Sequence, residues 1–103
     1  MRQIPIDAIT DAAQHVYKAA VRTPLVKLDL PFTSNGGPRP EVYLKLESLQ
    51  PIGSFKIRGA WNAVRKLTPE QLQEGVWTVS AGNAAQGVAF AAKLAGVPCS
   101  VLA

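Results

Sequence analysis

The chain has 103 residues, of which 48% are hydrophobic and 17% are charged, and its formal net charge is +4. The length suits one small domain, and the hydrophobic content excludes a disordered polymer. The low charge content indicates apolar surface that further polypeptide or a partner subunit must cover. Its scattered basic residues do not predict nucleic-acid binding. One cysteine, no signal peptide and no membrane-length apolar run predict a soluble cytoplasmic protein.

The first half of the chain predicts one helix and two strands. Apolar residues at helical spacing predict a helix over 6–20, which ends before Pro24 because the residue preceding a proline disfavours helical geometry. Short apolar segments predict strands over 25–30 and 42–46. Between them, turn-forming residues over 31–40 predict a surface loop.

The second half alternates helices with strands, which is typical of βαβ units. The predicted elements in order are a loop over 48–54, a helix over 57–67 with Arg58 on its outward face, a short helix capped by Thr68 that ends at Gly75, a strand over 76–80, a helix over 83–95 and a strand over 98–103. The fold class is therefore α/β, with a mostly parallel sheet flanked by helices. We expect the chain to be a piece of a larger domain, because it stops within a strand.

The loop over 51–56 places a lysine at the first turn of a helix, directly after a flexible Gly-Ser pair. The positive end of the helix dipole disfavours the ammonium form of Lys56, and its neighbours Phe55 and Ile57 could desolvate it further. A lysine in this setting can react as a neutral amine and form a Schiff base. Spacing alone favours the simpler alternative, a solvated lysine that opens an amphipathic helix.

The segment over 80–87 joins the carboxyl end of a strand to a helix, where open α/β sheets bind ligands. Its unpaired N–H groups suit a carboxylate or phosphate, Gly82 permits close backbone approach, and Asn83 offers a donor and an acceptor. Gly82 and Gly87 have phosphate-loop spacing, but Val88-Ala89 replaces the required Lys-Ser/Thr. An equally weighted alternative is a simple strand–helix turn capped by Asn83.

Together the two loops resemble the pyridoxal 5'-phosphate (PLP) dependent enzymes of fold type II, in particular the threonine/serine dehydratase and serine racemase branch. The matching segments are RTPL at 22–25, YLKLE at 43–47, LESLQPIGSFKIRGA at 46–60 and SAGNAAQGVA at 80–89. The resemblance implies a tryptophan synthase β-like α/β domain. Residues 1–103 would form the amino-terminal part of that catalytic domain, and about 76–103 would begin its smaller subdomain.

The same resemblance implies roles for individual residues. Lys56 would form the Schiff base with PLP and later remove or return the substrate's α-proton, while Phe55 would pack against the pyridine ring. Asn83 would hydrogen-bond the O3′ oxygen of that ring. The substrate would be bound by the turn that follows the strand: Ser80, Ala81, Gly82, Asn83 and Ala84.

Two departures from the family pattern bear on the reaction. Ala81 stands where the serine-racemising members carry a second serine, which favours elimination over racemisation. Ala84 stands where many members have histidine, so the identity of the substrate stays open. The family's phosphate cup and its partner for the pyridine nitrogen lie downstream of residue 103, so we expect the isolated chain to be inactive.

The expected function is that of a PLP-dependent ammonia-lyase acting on a small β-hydroxy-α-amino acid, with no metal and, as in the family, a homodimeric assembly. One alternative is a β-replacement or other deaminating enzyme of the same fold group. A second is a non-catalytic fragment that serves only in folding or association.

Overall fold

The computed structural model describes residues 1–30 and 36–103. Part of the predicted loop, 31–35, lies outside these residues, and 36–40 contains no helix or strand, as expected. Helices and short strands alternate along the chain. The predicted α/β class is confirmed.

The first helix, α1, spans Ile6–His15 and continues as a 3₁₀ turn over Val16–Lys18. The prediction of one helix over 6–20 has the right start, but its α-helical part ends earlier. Trp61 Nε1 donates a hydrogen bond to the backbone oxygen of His15 at 3.1 Å. The Ala19 N–H bonds to Val16 O at 3.1 Å, which is the spacing of a 3₁₀ turn.

Strands β1 (Leu25–Leu28) and β2 (Val42–Lys45) form an antiparallel pair. A backbone bond from Leu46 N–H to Pro24 O, 3.0 Å long, extends the pairing. The two strands make a sheet of their own. The expected mostly parallel sheet is therefore not what the described strands form. Consecutive strands joined by a turn-rich connection can pair antiparallel, whereas a parallel pair needs a crossover.

A 3₁₀ turn over Glu47–Leu49 follows β2, and helix α2 spans Lys56–Val64. The short helix α3 spans Pro69–Leu72 and begins with a reciprocal cap. Thr68 Oγ1 accepts from the Gln71 N–H at 3.2 Å, and Gln71 Oε1 accepts from the Thr68 N–H at 2.9 Å. This confirms the predicted helix start.

The last unit consists of β3 (Val76–Val79), α4 (Asn83–Ala95) and β4 (Cys99–Leu102), with the two strands parallel. Gly96 ends α4 in the left-handed region, with φ 72°, which glycine adopts without steric cost. The predicted helix over 83–95 matches α4 at both ends. A parallel pair bridged by a helix is the βαβ unit that the sequence predicts.

The core lies mainly between α2 and α4. Helix α2 contributes Ile57, Trp61 and Val64, and α4 contributes Ala91. Ile57 has 0% exposure, and burial of such a side chain stabilises a fold by about 1.5–3 kcal/mol. This packing sets the position of α2 relative to α4.

One face of the β3–β4 pair is apolar and uncovered. Trp77, Val79 and Leu102 are 70%, 68% and 60% exposed, and Val79 lies opposite Leu102. Parallel sheets normally have both faces covered. The apolar surface that the low charge content predicts is found here. Among the described helices, none has the length and apolar content to cross a membrane.

Candidate active site

Helix α2 begins at Lys56, directly after a tight turn. The Gly53 N–H donates to Gln50 O at 2.7 Å, and Gly53 has a φ of 74°, which favours glycine. Phe55 holds the N-cap position, where its side chain makes no capping hydrogen bond. Lys56 is therefore in the first helical turn, as the sequence predicts.

The side chains of Phe55 and Lys56 are both exposed. The Lys56 Nζ lies 5.2 Å from the centroid of the Phe55 ring, within the range of a cation–π contact. No carboxylate within residues 1–30 and 36–103 forms an ion pair with Lys56. An amine without an acidic partner thus lies beside an aromatic ring that is 59% exposed.

Gly87 lets α4 pack closely against the start of α2. A Cβ atom at Gly87 would lie 3.2 Å from the Lys56 carbonyl oxygen and 3.3 Å from the Ala60 Cβ. A larger side chain would force the neighbouring backbone to shift. The missing side chain of Gly87 therefore brings the amino-terminal parts of the two helices together.

A cavity of ≈ 400 Å³ lies between the start of α2 and α4, and its lining residues are Phe55, Lys56, Arg58, Gly59, Ala60, Ala84 and Val88. Three of the residues predicted from the sequence therefore share one surface. Another cavity, of ≈ 330 Å³, lies between α2 and β3, but its lining is apolar apart from the indole of Trp77. The first cavity differs from the second in that a lysine, Lys56, lines it.

Of the turn predicted to bind substrate, Ala84 lines this cavity, whereas residues 80–83 are not among its lining residues. The Ser80 N–H donates to Leu102 O at 2.9 Å, which holds the turn to β4. Ser80 Oγ accepts a hydrogen bond from the Gly82 N–H at 3.2 Å. Ala81 and Gly82 are exposed, and no atom lies within 4 Å of the place a Gly82 Cβ would take. The turn therefore leaves room for a ligand against its backbone.

Helix α4 begins at the end of this turn. Gly82 takes the N-cap position and Asn83 is the first helical residue, so the alternative in which Asn83 caps the helix is wrong. The first helical hydrogen bonds run to Gly82 O, from Ala85 N–H at 3.0 Å. The N–H groups of Asn83 and Ala84 precede that bond and, like the first donors of any helix, have no partner within it.

A polar cluster beneath the Lys56 loop was not predicted. It consists of Thr23, Glu47, Gln50 and Arg58, and we call it the Glu47 cluster. The Glu47 carboxylate accepts hydrogen bonds from Thr23 Oγ1 at 3.2 Å and from Gln50 Nε2 at 2.5 Å, and it forms an ion pair with Arg58. The prediction that Arg58 lies on an outward face is wrong, since its side chain is only 25% exposed.

The Glu47 cluster shifts the titration of its members. Burial would raise the pKa of Glu47, but hydrogen bonds from Arg58, Gln50 and Thr23 outweigh it, so this pKa lies below its ordinary value. The hydrogen bond to Glu47 raises the pKa of Arg58. A hydrogen bond from Arg58 likewise lowers the pKa of Tyr17, against the effect of desolvation. The Glu47–Arg58 pair is therefore charged over the whole physiological range.

The described part of the chain contains no group of three His, Cys, Asp or Glu side chains that could hold a metal ion. His15 Nδ1 instead lies 2.8 Å from the backbone oxygen of Asp11.

Comparison with known families identifies the class of protein. Residues 16–103 match the model of the pyridoxal-phosphate dependent enzyme family. The chain belongs to this family. The predicted dependence on PLP and the predicted family are thereby confirmed.

Individual relatives include both lyases and racemases. Over 99 residues the chain is 41% identical to the L-threonine ammonia-lyase of Thermotoga maritima, and the match covers 96% of this chain and 24% of that protein. The chain therefore spans about a quarter of the length of this curated relative.

Two solved structures show the same fold. The processed form of threonine deaminase isoform 2 from Solanum lycopersicum matches with a TM-score of 0.74 and 34% identity, over 93% of this chain and 26% of that one. Maize serine racemase matches with a TM-score of 0.77 and 37% identity, over 93% and 29%.

Proposed function

We propose that the complete protein is a PLP-dependent ammonia-lyase acting on a small β-hydroxy-α-amino acid. The reaction eliminates one water across the α- and β-carbons. Hydrolysis of the released product then consumes one water and gives ammonia and a 2-oxo acid. The observation that carries the proposal is the cavity shared by Lys56, Phe55 and Ala84. The names of two relatives, an L-threonine ammonia-lyase and a threonine deaminase, support this reaction type.

Lys56 is the residue we propose to hold the cofactor and to transfer the α-proton. Its amine has no acidic partner in the described residues, and it lies at the amino-terminal end of α2, beside the exposed ring of Phe55. When bound, PLP supplies the electron sink that makes the α-carbon acidic. The Lys56 amine then needs only to stand beside that carbon to take or return its proton.

The residues around Lys56 fit PLP. A cavity of ≈ 400 Å³ is within the usual range of cofactor sites. The exposed ring of Phe55 offers a flat apolar face for stacking against a pyridine ring. Asn83 is exposed at the start of α4, and we propose that its amide donates to the O3′ oxygen of the cofactor.

We assign the substrate carboxylate to the turn after β3. The unpaired N–H groups at the start of α4 and the helix dipole attract an anion. The residues proposed to form this subsite are Ser80, Ala81, Gly82, Asn83 and Ala84. The Ser80 hydroxyl accepts from the turn's own backbone, which leaves its proton available to the substrate. Ala84 leaves space where a larger residue would restrict the substrate's side chain.

Racemisation is the second candidate, because maize serine racemase has the same fold over most of this chain. A racemase needs a second proton carrier on the opposite face of the cofactor. Ala81 lies in the turn and has no exchangeable side-chain proton, which supports elimination instead. A β-replacement enzyme of the same fold group would use the same Lys56 and differ only in its second substrate.

We further propose that residues 1–103 form the amino-terminal part of the catalytic domain and that about 76–103 begin its smaller subdomain. The separation of the β1–β2 and β3–β4 sheets supports this division. A cytoplasmic homodimer and the inactivity of the isolated chain are parts of the same proposal.

The test is Lys56→Ala in the complete protein. We expect oxo-acid release from threonine and serine to fall by at least about 1000-fold, with loss of covalently held PLP. Lys93→Ala is the matched control, since Lys93 is an exposed lysine in the last turn of α4, and it should leave both quantities unchanged. Full turnover in the Lys56 variant would refute the proposal, and racemised amino acid without oxo acid would favour the second candidate.

A further inference from the structure

The start of α2 lacks the usual means of holding a helix end in place. Its N-cap residue, Phe55, makes no side-chain cap, and the preceding turn contains Gly53 in a left-handed conformation. Glycine there allows the chain many alternative conformations. Something other than a local cap must therefore determine where the first turn, and Lys56 with it, points.

Besides the buried Ile57 and the close contact at Gly87, the Glu47 cluster restrains this turn. Glu47 lies in the 3₁₀ turn after β2, and Arg58 lies in the first turn of α2, next but one to Lys56. Among residues 1–30 and 36–103, Glu47 is the only carboxylate paired with Arg58. The Glu47 side chain is 17% exposed, so water screens the pair only partly.

Glu47 is itself fixed from two further directions. The Gln50 side chain donates a hydrogen bond to Glu47. The same side-chain amide makes two bonds to the backbone of Val21: its Oε1 accepts from the Val21 N–H, and its Nε2 donates to the Val21 carbonyl oxygen, each at 2.9 Å. Thr23 Oγ1 donates to the same carboxylate oxygen as Gln50. One carboxylate thus joins the segment before β1, the 3₁₀ turn and the Lys56 helix.

We propose that Glu47 is a positioning residue for Lys56, acting through Arg58 to hold the first turn of α2 in the orientation that presents the lysine amine to the cofactor. This inference rests on the role of Lys56 given under the proposed function. Glu47 touches neither cofactor nor substrate in this account. A displacement of about 1 Å at a reacting group can cost about 100-fold in rate, so loss of the restraint acts on the chemistry as well as on stability.

The same helix offers a matched control. Arg65, the residue after the last turn of α2, forms an ion pair with Asp11 of α1. This pair also joins α2 to another element, but at the end remote from Lys56. Asp11→Asn therefore removes an ion pair from α2 without loosening its first turn.

The experiment compares Glu47→Gln with Asp11→Asn in the complete protein. The apo proteins are mixed with PLP, and the rate of covalent attachment to Lys56 is followed by borohydride trapping and mass spectrometry. Visible circular dichroism per attached cofactor reports its orientation. We expect attachment in the Glu47 variant to slow about tenfold or more with an altered dichroic signal, while the Asp11 variant stays within about twofold of wild type.

The outcomes separate this inference from the proposed function. If wild-type protein carries no PLP at Lys56, the proposed function fails. If wild type is labelled there but the Glu47 and Asp11 variants behave alike, only the positioning role of Glu47 is overturned. Should Glu47→Gln not fold, Thr23→Val removes one hydrogen bond to the Glu47 carboxylate at a residue that does not line the Lys56 cavity. It must then show the slowed attachment, and wild-type behaviour would refute the role.

Discussion

The two ends of helix α2 are held by different means. At its start, the Glu47–Arg58 pair is largely buried and shares hydrogen bonds with Gln50 and Thr23. At its end, Arg65 pairs with Asp11, a residue of α1 that is 46% exposed. Exposed ion pairs contribute little to stability, whereas a charge paired inside a hydrogen-bonded cluster is costly to disrupt.

The ion pair within the hydrogen-bonded cluster lies at the end of α2 that carries the proposed chemistry. The start carries Lys56 and lacks a side-chain cap, while the end carries no candidate site residue. The turn before α2, with Gly53 at φ 74°, leaves Lys56 exposed but does not by itself define the direction of the lysine side chain. The buried cluster restores the direction without covering the amine.

The largest expected effect on stability comes from a substitution that forces the start of α2 away from α4. Gly87→Val places a branched side chain where a Cβ alone would lie 3.2 Å from the Lys56 carbonyl oxygen. We expect a loss of about 1–3 kcal/mol in unfolding free energy, and a fall in PLP attachment to Lys56. Chemical denaturation and borohydride trapping measure the two effects.

Gly59→Ala is the control for the effect on unfolding free energy alone, because Gly59 lines the same cavity as Lys56. Gly59 also lies within a helix, α2, but its Cβ would meet no atom within 4 Å. Alanine there should raise stability by about 0.5–1 kcal/mol through its higher helix propensity. Equal behaviour of the two glycine variants would show that the close contact at Gly87 does not exist in solution.

A smaller effect concerns pH. A hydrogen bond from Arg65 lowers the pKa of Asp11, and the pKa of Glu47 is lowered because its hydrogen bonds outweigh desolvation. A carboxylate whose folded-state pKa is depressed stabilises the fold fully above its unfolded-state pKa, and this contribution is lost as pH falls through the folded value. The ordinary values are 4.5 for Glu47 and 3.8 for Asp11.

The unfolding free energy should therefore decrease below about pH 4.5 in the wild-type protein. Glu47→Gln should flatten this decrease more than Asp11→Asn does. Added salt should weaken the Asp11 contribution first, because that pair is the more exposed one. Identical pH profiles for the two variants would remove the distinction between the two ends of α2.

Local signals in the sequence predicted the elements that depend on neighbouring residues. Neighbouring residues in the sequence were enough to predict the cap formed by Thr68 and Gln71. They were also enough to predict the extent of α4 and its end at Gly96. The position of Lys56 in the first turn of α2 followed from the same kind of pattern. The roles proposed for the site residues stay predictions.

The features that were missed depend on long-range contacts. At the end of α1, Trp61 donates a hydrogen bond to the His15 carbonyl, a contact between residues 46 positions apart. In the Glu47 cluster, Thr23 and Glu47 are 24 positions apart, and Gln50 also bonds to Val21, 29 positions away. The local sequence indicates that cluster only through Glu47, the one acidic residue between Leu46 and Leu49. Hydrophobic periodicity cannot predict which distant residue pairs with Glu47.

The central claim is that Lys56 is the residue to which PLP attaches. It is tested by reducing the complete protein with borohydride in the presence of PLP, digesting it, and locating the modified lysine by mass spectrometry. The account predicts a single PLP group on Lys56, with none on Lys45 or Lys93. A cofactor found on another lysine, with Lys56 unmodified, would contradict it.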